Sequence, residues 1–185
     1  MSALIRRAGG LVSFSSALRA FRTFAAALLI AGVGALATAA AAESDAKAVD
    51  DLARQAQMAM SKGKPEEAIP LLRKAINLAP DRADLYMLRS RARDGSGKFE
   101  DALEDASKYI ELEPKDEYGY LNRARIYLSL DKPESALADA NKAIEIAPNE
   151  SDGYYRRADV YTEMGKDAEA KADEKKADEL DKKSR

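Results

Sequence analysis

The sequence predicts an all-α fold of tandem helical repeats, and three observations support this prediction. Prolines recur at a fixed step of 34 residues, at Pro80, Pro114 and Pro148. The same step joins three further series, which are Ala68, Ala102, Ala136 and Ala170, then Ala56, Ser90, Ala124 and Ala158, then Leu52, Tyr86, Tyr120 and Tyr154. Within each period, apolar residues recur at helical spacing. A fixed period of this length is typical of stacked supersecondary units that bury their apolar faces against one another.

Four units of equal length follow from this period. They span residues 49–82, 83–116, 117–150 and 151–184. Two apolar stripes at helical spacing predict two helices in a unit. In the third unit the stripes are Tyr120, Ala124, Tyr127 and Leu128, followed by Ala136, Ala140, Ala143 and Ile144.

The turns between the paired helices fall in the same register. Gly63, Gly97 and Gly165 occupy equivalent positions, and Asp131 fills that position in the third unit. Pro133 suits the first turn of the helix that follows, and the proline series ends the second helix of the first three units. Each unit is therefore predicted to be a helical hairpin, with small residues where its helices approach closely.

The second helix of the fourth unit is more polar than its counterparts. Residues 171–185 interleave lysines with acidic residues and contain few apolar positions. A terminal repeat needs a polar outer face for solubility. We expect residues 171–185 to form a solvated cap, since the interleaved Asp and Glu disfavour a role in binding nucleic acid.

The first 42 residues form a leader of different composition. They contain no Asp or Glu, and an uncharged apolar run covers residues 24–42. The basic residues of the leader are Arg6, Arg7, Arg19 and Arg22. A positive segment, an apolar run and small residues at Ala40 and Ala42 are typical of a cleaved export signal. We therefore predict a signal peptide over 1–42 and a short linker over 43–48.

Two other interpretations of the leader stay open. Its uncharged run is close to the roughly 20 residues that span a bilayer, so it would also serve as an uncleaved anchor. An acid-free leader rich in Arg and Ser also resembles a mitochondrial transit peptide. A periplasmic or secreted location is the leading expectation, with an inner-membrane or mitochondrial location as the alternative.

Composition argues against catalysis. The chain contains no His and no Cys, which excludes Ser-His-Asp and Cys-His sites, disulfides and the usual structural zinc sites. An enzyme would need paired carboxylates in a closed pocket, which an open array lacks. Four of the 30 basic residues and none of the 32 acidic residues lie in the leader, so the remainder is mildly acidic and unsuited to nucleic acid. We expect no catalytic residues, cofactor, metal or nucleic-acid partner.

The 34-residue period, with its order of bulky, small, turn, small and proline positions, resembles the tetratricopeptide repeat (TPR) family. The resemblance implies an α-solenoid, a right-handed superhelix of antiparallel helix pairs. It also implies that the first helix of each unit lines a concave face that binds a protein or peptide. The leading functional hypothesis is therefore a non-catalytic interaction scaffold in the cell envelope. The alternative is a membrane-tethered structural subunit that packs through its sides.

The outward face of the first helices supplies the candidate binding residues. They are Arg54, Gln57, Arg91, Tyr118, Asn122, Arg125, Tyr155 and Arg156. Arginine forks grip a carboxylate through two parallel hydrogen bonds, and an amide such as Asn122 can hold the backbone of an extended peptide. For each arginine alone, a solvated side chain or an ion pair with a nearby acid remains the alternative.

The best-known site of the family is a clamp for the terminal carboxylate of a peptide, made of a Lys, two Asn, a second Lys and an Arg. Laid on the last three units, its places fall on Met87, Arg91, Asn122, Asp152 and Arg156. Asn122 and Arg156 match, but both lysine places are lost. The resemblance therefore does not extend to the binding of chaperone tails.

A further series at the same step consists of Arg89, Arg123 and Arg157. We expect their aliphatic stems to cover apolar surface while their charged heads reach water or a neighbouring carboxylate.

Overall fold

The computed structural model describes residues 42–183, which fold into eight α-helices. They are α1 (42–61), α2 (Pro65–Leu78), α3 (Ala83–Gly95), α4 (Phe99–Leu112), α5 (Glu117–Ser129), α6 (Pro133–Ile146), α7 (Ser151–Glu163) and α8 (Asp167–Lys183). The predicted all-α fold is confirmed. The predicted leader, apart from its last residue, and the last two residues of the predicted cap lie outside the described residues.

The helices pack on one another in chain order. The most extensive contacts join α3 to α4, α5 to α6 and α7 to α8, so each of these pairs forms a hairpin. The first helices also approach one another, α3 to α5 and α5 to α7, whereas within residues 42–183 the second helices do not. The first helices therefore lie on the tighter, inner side of the array.

Helix starts follow the chemistry of the sequence. α3, α5 and α7 begin at Ala83, Glu117 and Ser151, at intervals of 34 residues, and a proline occupies the first turn of α2 and of α6. Residues 43–48, which the sequence predicts as a linker, lie inside α1, because this segment contains no proline or glycine that would stop a helix. None of the helices between residues 42 and 183 combines the length and apolar character of a membrane span.

The turns adopt the left-handed backbone conformation at the predicted positions. Gly63, Gly97 and Gly165 have φ values of 72°, 72° and 70°, and Asp131 has a φ of 55°. Glycine enters this region without a steric penalty, and Asp is one of the few other residues that visit it. The predicted equivalence of Asp131 with the three glycines is therefore confirmed.

Small residues bring the helices together, both within and between units. The fully buried alanines of the predicted series include Ala56, Ala68, Ala102, Ala124 and Ala136. A β-carbon on Gly119 would lie 2.8 Å from Cδ1 of Tyr109, and one on Gly153 would lie 2.8 Å from Cγ1 of Ile144. These two glycines set how closely the third and fourth units pack on the units before them.

Candidate peptide-binding groove

A buried arginine–aspartate pair joins the first helix of a unit to its second helix. In the second unit, Arg89 donates to both carboxylate oxygens of Asp105, at 2.8 and 2.7 Å. The equivalent pairs are Arg123 with Asp139 and Arg157 with Asp173. These hydrogen bonds raise the pKa of each arginine, and burial acts in the opposite direction. The sequence left open whether the heads of this arginine series reach water or a neighbouring carboxylate, and the structure shows the carboxylate.

A tyrosine one turn before each of these arginines hydrogen-bonds to the backbone just before its helix. Tyr86 donates its hydroxyl hydrogen to the carbonyl oxygen of Pro80 at 3.1 Å, and the guanidinium carbon of Arg89 lies 5.7 Å from its ring centre. The same contacts recur at Tyr120 and Tyr154. Together the tyrosine and the arginine–aspartate pair fix the orientation of α3, α5 and α7.

A groove of about 400 Å³ opens between α3, α5 and α7. It is lined by Arg91, Tyr118, Leu121, Asn122, Arg125, Asp152, Tyr155, Arg156 and Asp159. Six of the eight candidate residues from the sequence are brought together here. The other two, Arg54 and Gln57, are exposed on α1 and lie outside this groove, where Arg54 pairs with Asp51 at 3.1 Å.

Asn122 lies at the floor of the groove. It is only 5% exposed, its Nδ2 donates to Oγ of Ser90 at 2.8 Å, and its Oδ1 accepts from Arg125 at 3.1 Å. Ser90 in turn donates to the carbonyl oxygen of Ala102 at 2.9 Å. The amide therefore fixes α5 against α3, so its polar atoms are already engaged before any ligand arrives.

The three groove arginines differ in their partners. Arg125 forms an ion pair with the buried carboxylate of Asp94, and Arg156 donates to Asp159 at 2.8 Å along α7. Arg91 is exposed and has no hydrogen-bond or ion-pair partner among residues 42–183. A ligand can therefore engage Arg91 without breaking an existing ion pair.

The two groove tyrosines also differ. Tyr155 donates to Asp178 of α8 at 2.8 Å and lies 3.2 Å from a carboxylate oxygen of Asp181; the hydrogen bond to Asp178 raises its pKa to about 12. Tyr118 is 47% exposed, and the negative charge of Asp152 raises its pKa. Tyr118 therefore presents an open aromatic ring to the groove, whereas α8 holds the hydroxyl of Tyr155.

The groove contains carboxylates but no acid cluster. Asp152 and Asp159 line it, and within residues 42–183 no three metal-binding side chains come together in a way that would hold a metal ion. The groove is open to solvent.

The sequence analysis assigned no role in the groove to Ser90 or Asp94, which support the groove from α3. Ser90 carries a signal, because it is the polar member of an otherwise all-alanine series at the 34-residue step. Asp94 carries no comparable signal, since its partner Arg125 lies 31 residues further along the chain, in the next unit.

Comparison with known families agrees with the repeat pattern. Three tetratricopeptide repeat models match the chain, over residues 59–126, 118–150 and 140–172. A comparison with curated proteins gives no match.

Solved structures with a similar fold include three from different proteins. The crystal structure of MamA is 25% identical with a TM-score of 0.66, and the match covers 74% of this chain and 80% of that chain. TTC0263, a thermophilic TPR protein in Thermus thermophilus, is 21% identical with a TM-score of 0.66, covering 71% of this chain and 74% of its own. The first TPR of Spaghetti (RPAP3), bound to the HSP90 peptide SRMEEVD, is 22% identical with a TM-score of 0.60, covering 64% and 94%.

These matches and the geometry lead to the same assignment. The array is an α-solenoid of helical hairpins, an architecture whose extended concave surface serves the binding of other proteins. Repeats at a 34-residue period, left-handed turns between paired helices and three family-model matches show that the chain belongs to the tetratricopeptide repeat family.

Proposed function

We propose that this protein is a non-catalytic scaffold whose groove between α3, α5 and α7 holds a protein or peptide segment. The observation that carries the proposal is that the groove is already formed. Arginine–aspartate pairs and the contact of Asn122 with Ser90 fix its walls, so binding costs little ordering of the protein. Micromolar affinity, about −8 kcal/mol, would be ordinary for such a groove.

The similarity to the first TPR of RPAP3 supports a peptide as the ligand, but a peptide whose chemistry differs from that of the HSP90 peptide. That TPR is bound to an HSP90 peptide. Here Met87 and Asp152 occupy the places of the two clamp lysines, and Met87 is buried. A carboxylate-rich tail would therefore meet a negative charge where the clamp has a positive one.

The leader supports export of the proposed scaffold to the cell envelope. Its arginines, apolar run and small-residue site are the features of a signal peptide. Mass spectrometry of the mature amino terminus tests this. We expect a terminus near Glu43 in a soluble fraction, whereas an intact Met1 in the membrane fraction would support the alternative, a membrane-tethered structural subunit.

Site-specific crosslinking tests the groove itself. A photoreactive amino acid placed at Tyr118 is expected to capture a partner in cells, because this ring is half-exposed inside the groove. The same amino acid at Gln57, exposed on a first helix but outside the groove, is the matched control. Capture that is equal at both positions, or found at Gln57 alone, would contradict the proposed binding face.

A double variant gives a second test. Arg91→Ala with Tyr118→Ala removes the unpaired cation and the open ring, and neither side chain makes a hydrogen bond or ion pair to another residue among 42–183. We expect loss of the captured partner with unchanged helical circular dichroism. Arg54→Ala with Gln57→Ala, on the exposed face of α1, should retain it.

A further inference from the structure

The charges of the groove are mostly paired within the protein. Arg125 is held by Asp94 and Arg156 by Asp159. Among residues 42–183, this leaves two lining charges without a hydrogen-bond or ion-pair partner, Arg91 and Asp152. The free charges of the groove are therefore one cation and one anion.

The two free charges lie on different walls. Arg91 belongs to α3 and Asp152 to the first turn of α7, and α5 lies between these helices. Tyr118 and Leu121 of α5 supply an aromatic and an apolar surface to the middle of the groove. Asp152 lies near Tyr118, since its charge is the largest cause of the raised pKa of that phenol.

The helix spacing sets the distance that a ligand must cover. Packed helices lie about 8–10 Å apart, so the two steps from α3 to α7 measure about 16–20 Å. An extended chain advances about 3.3 Å per residue. A peptide crossing the groove would therefore place about five residues between the positions that face Arg91 and Asp152.

From this charge pattern we infer that the ligand is an extended segment of mixed charge, with an acidic residue at Arg91, a basic residue about six positions away at Asp152, and an apolar or aromatic residue between them. The inference rests on the proposed function of the groove. A segment with two acidic groups loses the contact at Asp152 and is repelled there. A segment with two basic groups is repelled at Arg91 in the same way.

Four synthetic peptides test the inference by fluorescence anisotropy with the mature protein. Each is nine residues long, acetylated and amidated, with Leu at position 5 and neutral residues elsewhere. Positions 2 and 8 hold Glu and Lys, Glu and Glu, Lys and Lys, or Gln and Gln. We expect the Glu–Lys peptide to bind tightest, by about fivefold over each like-charged peptide, and the difference to shrink as salt is added.

Charge-reversed variants provide the diagnostic readout. Arg91→Glu should make the Lys–Lys peptide the preferred ligand, and Asp152→Lys should make the Glu–Glu peptide the preferred ligand. Arg54→Glu makes the same charge change as Arg91→Glu on an exposed part of α1 outside the groove, so it should leave the order of affinities unchanged.

The outcomes separate the inference from the proposed function. A preference of the unaltered protein for the Glu–Glu or Lys–Lys peptide, or reversed variants that keep the original order, overturns the inference. Failure of all four peptides to bind overturns it as well. If the crosslinker at Tyr118 still captures a partner, the proposed function stands in either case; if it captures nothing, the proposed function fails too.

Discussion

The second and third units each bury an aspartate at the equivalent position, Asp105 and Asp139, but surround it with different partners. In the third unit, Arg123 bonds Asp139, reaches Ser107 of the preceding unit at 3.2 Å, and lies 6.0 Å from the ring centre of Tyr127. For Arg89 of the second unit, the equivalent of Ser107 in the preceding unit is another cation, Arg73. That position offers no acceptor to Arg89.

A second arginine replaces the missing support. Arg93 stands where the third unit has Tyr127, and it donates to Asp105 at 2.7 Å beside Arg89. The aspartate of the second unit thus receives two cations, whereas that of the third receives one cation, which also contacts a second aromatic ring, that of Tyr127, and a serine. The pair recurs in the second, third and fourth units, while its surroundings differ from unit to unit.

Removal of the aspartate should give the largest difference between the two units. Asp105→Ala leaves two guanidiniums of 14% and 18% side-chain exposure facing each other, and we expect a loss of about 3–5 kcal/mol of unfolding free energy. Asp139→Ala leaves one guanidinium, which still has Ser107 as a partner, and should cost about 2–3 kcal/mol.

Urea unfolding followed by circular dichroism measures both losses. Asp101→Ala is the control for the second unit, because Asp101 lies on the same helix but its side chain is 55% exposed and its contact to Arg93 is 3.9 Å. It should change stability by less than about 1 kcal/mol. Equal losses for Asp105→Ala and Asp139→Ala would show that the extra cation does not matter.

The contacts between successive units should show a smaller difference in unfolding free energy. A β-carbon on Gly119 meets both Tyr109, at 2.8 Å, and Ile110, at 2.9 Å, whereas one on Gly153 meets Ile144 alone within 3.0 Å. Overpacking costs about 1–3 kcal/mol and the helical gain of alanine over glycine offsets about 0.5–1 kcal/mol. We expect a net loss for Gly119→Ala and a smaller one for Gly153→Ala.

The same urea titrations compare these variants. Gly95→Ala serves as the control, since its β-carbon would meet Pro65 at an ordinary 3.5 Å, and it should leave stability unchanged or slightly improved. A larger loss at Gly153 than at Gly119 would mean that the Tyr109 ring moves aside more easily than Ile144.

Conversion of the second unit to the pattern of the third should have a smaller effect still. Arg93→Tyr removes one hydrogen bond to Asp105 but places an aromatic ring near Arg89, a contact worth about 0.5–1 kcal/mol. We expect a change within about 1 kcal/mol. Arg93→Ala gives no such ring, so thermal unfolding should show a greater loss for it; equal losses would argue against a stabilising ring contact.

The smallest expected difference between the second and third units is in the pH dependence of their stability at alkaline pH. Tyr109 occupies the second unit where the third has Ala143, and burial followed by its hydrogen bond to Asp116 raises its pKa. Because the folded-state pKa is raised, this contribution to stability is complete below about pH 10 and is lost as the pH rises towards the folded-state value. Tyr109→Phe should remove one late-titrating phenol from the ultraviolet titration and make stability less dependent on pH above 10.

The periodic features of the fold were predictable from the sequence. Residues 34 positions apart predict the helix pairs, the turn at Asp131 and the arginine series, because equivalent residues occupy equivalent surroundings in successive units. For Arg89 the sequence left water and a neighbouring carboxylate open, and it did not identify Asp105 as the partner.

The contacts within the groove were less predictable. Asn122 has the chemistry of a ligand-binding amide, yet it bonds Ser90, 32 residues earlier, and Tyr155 bonds Asp178, 23 residues later. Such partners depend on side-chain directions and on the helix spacing between units, neither of which a repeat period specifies. Arg91 was a candidate from the sequence, but its unpaired state and that of Asp152 among residues 42–183 depend on the partners of the other groove charges.

The reach of Arg123 into the preceding unit has a consequence for lengthening the array. Arg157 reaches Asn141 in the same way, at 2.8 Å. If residues 117–150 were duplicated in tandem, the copied arginine would meet Asn141, and Arg157 would meet the copied asparagine. The chain could thus grow by one unit with this row of contacts intact, adding about 8–10 Å of trough, enough for roughly three more residues of a bound strand.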